Sequence, residues 1–175
     1  HGGCGENQRG YCAVGAGVVT LVIPRSDSRI QMHHDQIFRT ERTLPFSPQV
    51  VYNAFSSAEL LATWWGPEGF TNEFESFDFQ VGGRWKFVMV GPDGARYPNQ
   101  SVFTELVPAS LIAIRHDCEP FFTLTVQLSE VAGGTHVLWQ QAFDDKHVAQ
   151  AVKAIVEPAN EQNLDRLTQL LGLSA

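Results

Sequence analysis

Runs of lysine and arginine are missing from this chain: its 12 basic residues lie scattered among 19 acidic ones, for a formal net charge of −7. A surface of that sign repels phosphate over most of its area, which argues against a nucleic-acid partner. Long apolar runs are missing too. The longest stretch, Ala13 to Pro24, is interrupted by Gly15 and Gly17 and falls short of the ~20 residues that cross a bilayer, so no membrane span is expected. No clear small-residue cleavage site follows it, which makes it a poor signal peptide and leaves the cytoplasm as the expected compartment. Cysteine is sparse. Cys4, Cys12 and Cys118 are odd in number and far apart, a usage that reads as a reducing compartment better than as a disulfide framework.

The motifs of common chemistry are equally scarce. Cys4 and Cys12 lie near His1 at no recognised zinc spacing, and His33-His34-Asp35 has no carboxylate cluster to complete a metal site. Gly15-Ala16-Gly17 lacks the third glycine and the preceding strand of a dinucleotide fingerprint. No nucleophile elbow, supported Ser/His/Asp set or phosphate loop occurs. Neither a metal nor a cofactor is expected, and no catalytic residue is assigned. Asn99-Gln100-Ser101 is formally a glycosylation sequon, without meaning in the cytoplasm.

What the chain has is aromatic mass: 12 phenylalanines and 4 tryptophans within an apolar content of 43%, enough to build one aromatic-rich core. Ordered patterning starts abruptly after Met32. Residues 1–31 are expected to be a non-native or loose extension and residues 32–175 a single domain, although Val18 to Ile23 could add an edge strand. Ile37 to Leu44 alternates as a first strand. Ser47 and Pro48 open a short helix carrying Val51, Tyr52 and Phe55, and a second starts near Ser57 and ends at Gly66-Pro67. The period then drops to two. Strands are expected over Phe70–Phe79, Arg84–Val90, Ser101–Val107, Leu111–His116, Phe121–Val131 and Thr135–Phe143, with Gly-rich or Pro-containing turns between them.

Beyond them Val148, Val152, Ile155, Val156, Ala159, Asn163, Leu167, Leu170 and Leu171 form one helical stripe, with a kink or break expected at Pro158 and a cap at Gly172. Trp85, Phe87 and Met89 share a strand face, as do Ile112, Ile114 and His116; Phe122 and Leu124; and Trp139 and Gln141. One helix is little material to plug a bent sheet, so a cavity is expected between them. Its expected lining is Trp65, Trp85, Phe87, Met89, Tyr97, Ile114, His116, Phe122, Leu124, Trp139, Gln141 and Val156. Of Trp64 and Trp65, one is expected to pack beneath the helix pair and the other to stand at the rim, with Gly66-Pro67-Glu68-Gly69 as a flexible entrance.

Five blocks carry a resemblance: Ser47-Pro48 with Val51-Tyr52, Trp64-Trp65-Gly66-Pro67, Gly82-Gly83 with Trp85 and Phe87, Tyr97-Pro98-Asn99 with Ser101 and Phe103, and Leu164-Asp165-Arg166-Leu167. Over about Ile37 to Leu171 the chain resembles the SRPBCC superfamily, which includes the START and birch-pollen-allergen domains. Within it, the chain is most similar to the bacterial homologues of the heat-shock-protein-90 ATPase activator. The resemblance implies an α+β helix-grip fold, a curved antiparallel sheet of about seven strands around a long C-terminal helix, with two short helices after the first strand.

Function is less constrained, since one fold hosts many activities. The leading expectation is a non-enzymatic module that binds a small hydrophobic or aromatic molecule. A second is a cyclase- or hydrolase-like enzyme, with His116 moving a proton and Trp139 and Tyr97 shaping the pocket. A third is a stress-related partner of a chaperone. A homodimer is left open.

Overall fold

The computed structural model of the chain describes residues 34–173. The readings made on residues 1–31, on Cys4 and Cys12, and on His33 lie outside that range.

After a single turn of 3-10 helix at His34–Gln36, strand β1 runs over Ile37–Leu44. Helix α1 follows at Pro48–Asn53 and α2 at Ala58–Trp64. Each starts on a serine, because Ser47 Oγ accepts from the Val50 N–H at 3.4 Å and Ser57 Oγ from the Leu60 N–H at 3.1 Å. Six strands come next: β2 (Thr71–Phe77), β3 (Arg84–Val90), β4 (Arg96–Val107), β5 (Leu111–His116), β6 (Phe122–Val131) and β7 (Gly134–Phe143). Helix α3, Lys146–Leu173, closes the chain. The strands form one seven-stranded antiparallel sheet in the order β1-β7-β6-β5-β4-β3-β2. Successive strands from β2 to β7 are neighbours, and β1 returns beside β7. This is the expected α+β helix-grip arrangement.

Alternation explains which face is inside. Trp85, Phe87 and Met89 of β3 are buried, as are Ile112, Ile114 and His116 of β5, Phe122 to Leu128 at every second position of β6, and Val137, Trp139 and Gln141 of β7. Irregularities at Phe74/Ser76 and Phe103/Glu105 shift the register, and bulges of this kind bend the strand that carries them. At the β2–β3 connection the Gly82 N–H donates to Phe103 O at 2.7 Å. A Cβ on Gly83 would stand 2.1 Å from Asp78 O, so only glycine fits there.

Apart from shifts of one or two residues at the ends of β2, β6 and β7, two boundaries differ from the sequence reading. Strand β4 begins at Arg96, five residues earlier than Ser101, and its first half pairs with β3, Tyr97 opposite Met89 and Asn99 opposite Phe87. Pro98 is tolerated because β5 pairs only with Ser101–Val107, so its missing N–H falls where the second ladder does not reach. Helix α3 is one element that runs through Pro158 to Leu173, so no break occurs there, and Gly172 lies within its last turn. Buried residues on both sides of the proline, Val152 and Val156 before it and Ala159, Asn160 and Asn163 after it, hold the helix to the sheet across the lost hydrogen bond.

Candidate functional site

Four indoles meet under α3. Trp65 packs against Trp64, Trp85 and Trp139 with ring centroids 5.4, 5.2 and 5.9 Å apart, and Trp85 stacks between Phe87 and Phe103 at 5.0 and 5.4 Å. These rings fill most of the concavity that one helix leaves open. The pocket that remains holds about 40 Å³. That is room for a few water molecules, well short of the roughly 300 Å³ at which ligand pockets begin.

Trp65, Phe87, Met89, Ile114, His116, Phe122, Leu124, Trp139 and Gln141 line this pocket, joined by Gly66, Asn99, Ser101, Asn160 and Asn163. Three residues expected at the lining stand elsewhere. Trp85 is buried inside the ring stack, Tyr97 sits half-buried beside Phe70 at 6.2 Å, and Val156 is packed in the core. The residues that sequence reasoning missed are the small polar ones. Asn99 belongs to the half of β4 obscured by Pro98, and Ser101 stands where the sequence reading starts that strand. Asn160 and Asn163, one turn apart on the buried side of α3, do carry a signal: two amides facing the apolar side of a helix.

The wall is therefore more polar than expected, and one of its polar atoms has no partner. The Trp139 Nε1–H is buried with no hydrogen-bond acceptor among the described residues. The side chains of Ser101, Gln141 and Asn160 are buried as well. Trp64 shows the contrast, since its Nε1–H donates to Ala54 O at 3.0 Å and fixes the ring beneath α1 and α2.

His116 is held on both sides. Its Nδ1 lies 2.9 Å from Pro120 O and its Nε2 lies 2.9 Å from Asn99 Oδ1, while the Asn99 amide donates to Tyr97 O at 2.8 Å. The ring stacks on Phe122 at 4.4 Å. Both facing atoms accept, so two donated bonds would require an imidazolium, and a neutral ring donates only one. Burial decides: it pushes the His116 pKa down to about 4 against the opposing pull of the Pro120 and Cys118 backbone. At neutral pH the ring is uncharged. Asp117 points outward to Arg84 at 2.8 Å and forms no dyad with it. Cys118 is disulfide-bonded, which the odd, scattered cysteine count does not anticipate. Asn99, buried and bonded to His116, cannot serve as a glycosylation acceptor in the folded protein.

The segment after α2, expected to be a flexible entrance, is moored to α3. The Arg166 guanidinium donates to four main-chain carbonyls: Thr63 O at 3.1 Å, Trp65 O at 3.1 Å, Gly66 O at 3.0 Å and Pro67 O at 2.9 Å. Asn163 Oδ1 accepts the Gly66 N–H at 2.8 Å, and Gln162 Oε1 accepts the Glu68 N–H at 3.1 Å. Gly66 has φ +91°, and a Cβ there would stand 2.6 Å from Met89 Cε. Two sequence blocks far apart in the chain, Trp64 to Pro67 and Leu164 to Leu167, are thus two halves of one clasp that sets Trp65 against the pocket.

Residues 45–172 match the family described as Activator of Hsp90 ATPase homolog 1-like protein. The chain belongs to this family. No curated protein matches it. Solved structures share the family's fold. A protein from Nitrosomonas europaea superposes with a TM-score of 0.75 at 17% identity, over 83% of this chain and 100% of that one. One from Chromobacterium violaceum gives 0.68 at 25% identity, over 77% and 96%. A third, from Mycobacterium smegmatis, gives 0.71 at 18% identity, over 87% and 100%. No helix among the described residues is long and apolar enough to cross a membrane.

Proposed function

We propose that this family member is a binding module that takes up a small uncharged molecule through the pocket beneath α3. The observation that carries this reading is the unpartnered Trp139 Nε1–H, buried on the wall of a pocket that also holds Ser101, Gln141 and Asn160. A buried donor without an acceptor costs about 1–3 kcal/mol, a loss that a ligand oxygen reaching it would relieve. Among the described residues no Lys, Arg, Asp or Glu lines the pocket and His116 is neutral, so a neutral hydrogen-bonding group matches it better than an ion. An acid–base role for His116 is less well supported, because both ring nitrogens already face neighbours and its pKa lies far below neutrality. A chaperone-directed role rests on the family's description alone.

A thermal-shift screen of phenols, ketones, alcohols and amides tests the reading. At least one compound should raise the melting temperature by about 5 °C at a hundredfold excess over its dissociation constant. Gln141→Leu and Trp139→Phe should each diminish that shift. A wild-type protein that responds to none of them, or variants that respond in full, would overturn the proposal.

A further inference from the structure

The pocket alone is too small for most molecules that carry a hydrogen-bonding group, yet a larger space adjoins it. Between β1 and α3 lies an open cleft of about 440 Å³. Phe38, Ala154 and Pro158 give it apolar walls, and Glu157 and Glu161 stand at it as exposed carboxylates. Asn160 lines both spaces, which places a single buried amide between the cleft and the pocket. That amide makes no hydrogen bond within the described residues that would fix it in place. The helix is also locally weakened here: Pro158 has no N–H to offer Ala154 O, and Ala154 itself faces the cleft. On the next turn the helix is tied to the strand by side chains only. Glu161 accepts from Thr40 and from Arg42, the latter at 2.7 Å, and Asp165 accepts from Arg42 at 2.5 Å.

We infer that the cleft between β1 and α3 is the outer half of the binding site, with Asn160 as the divide, and that its ligand is a neutral amphiphile. The polar head passes Asn160 to reach Trp139 and Gln141, while the apolar body lies along Phe38, Ala154 and Pro158. This deepens the binding reading above and rests on it. Charge sets the class. Arg39 is paired with Glu41 at 3.2 Å and Glu161 with Arg42 at 2.7 Å, while Glu157 has no ion-pair partner among the described residues, so the uncompensated charge at the cleft is negative and repels a carboxylate. An uncharged alcohol is favoured over the acid of the same length.

Calorimetric titration with 1-octanol and with octanoate tests this, using the full chain and the variants Ala154→Trp and Gln141→Leu. Ala154 is exposed and lines only the cleft, so an indole there fills the outer space without entering the core. The wild type should bind octanol at least about tenfold more tightly than octanoate, and Ala154→Trp should weaken octanol about tenfold or more. Asn160→Ala, which opens the divide, should strengthen it or speed its association. Octanol binding unchanged in Ala154→Trp but lost in Gln141→Leu would leave the pocket standing and overturn the cleft. Binding untouched by either variant, or no octanol binding at all, would overturn both. Octanoate binding as tightly as octanol would overturn the assigned class.

Discussion

His116 links the interior to pH. Its pKa of about 4 in the folded protein lies below the ordinary 6.5, so the unfolded chain takes up a proton that the folded chain refuses. Above pH 6.5 both states carry a neutral ring and the group contributes nothing to pH dependence. As pH falls from about 6.5 toward 4, the unfolded state gains a proton and stability drops, by up to about 3 kcal/mol. Urea midpoints measured at pH 7, 5.5 and 4.5 should fall along that series, and His116→Gln should flatten it; a variant curve as steep as the wild type would assign the effect to other groups. At this scale the sequence was informative about apolar residues and nearly silent about polar ones. The alternation of Trp85 to Met89 or Phe122 to Leu128 declares a buried face. Nothing in the local pattern says that Asn99, Ser101 and Asn160 converge with His116, because that meeting is made by pairing β4 with β5 and by the rotation of α3.

Among the elements, α3 departs most from expectation. A proline in a helix interior removes one hydrogen bond and crowds the preceding turn, at a cost of about 3 kcal/mol. Propensity therefore argued for a break at Pro158, and tertiary packing of the buried stripe overrode it. Pro158→Ala should restore the bond to Ala154 O and raise stability by about 1–3 kcal/mol, read as an upward shift of the urea midpoint at constant slope. A lower midpoint would mean that the proline's shape is needed where α3 meets β1. The other elements were legible because they carry their own punctuation: Ser47 and Ser57 cap, Gly82-Gly83 turn, and Pro108 closes β4. The start of β4 was not, since Pro98 reads as a strand breaker until the length of its neighbour β5 is known.

For the whole molecule, the same rings that make the core also decide how much room is left. The curvature of the sheet and the solitary helix follow from the order of elements, and both were readable. The remaining volume was not, because whether four tryptophans line a chamber or plug it depends on a few torsion angles per ring. Here they plug it, and the polar end of the pocket is what persists. Since one hydrophobic cluster joins the strands to α3, the domain should unfold as a unit. Tryptophan fluorescence and far-ultraviolet dichroism should report a single coincident transition in urea, and separated midpoints would show that sheet and helix come apart independently.

The clasp around Arg166 has a further consequence. Every acceptor it uses belongs to the polypeptide backbone, so the grip is blind to which side chains occupy positions 63, 65 and 67. Substitution of Trp65 could reshape the pocket mouth while the strand of chain bearing it stays anchored. The protein has, in this one arginine, a means of varying the side chains around the pocket without loosening the frame that carries them.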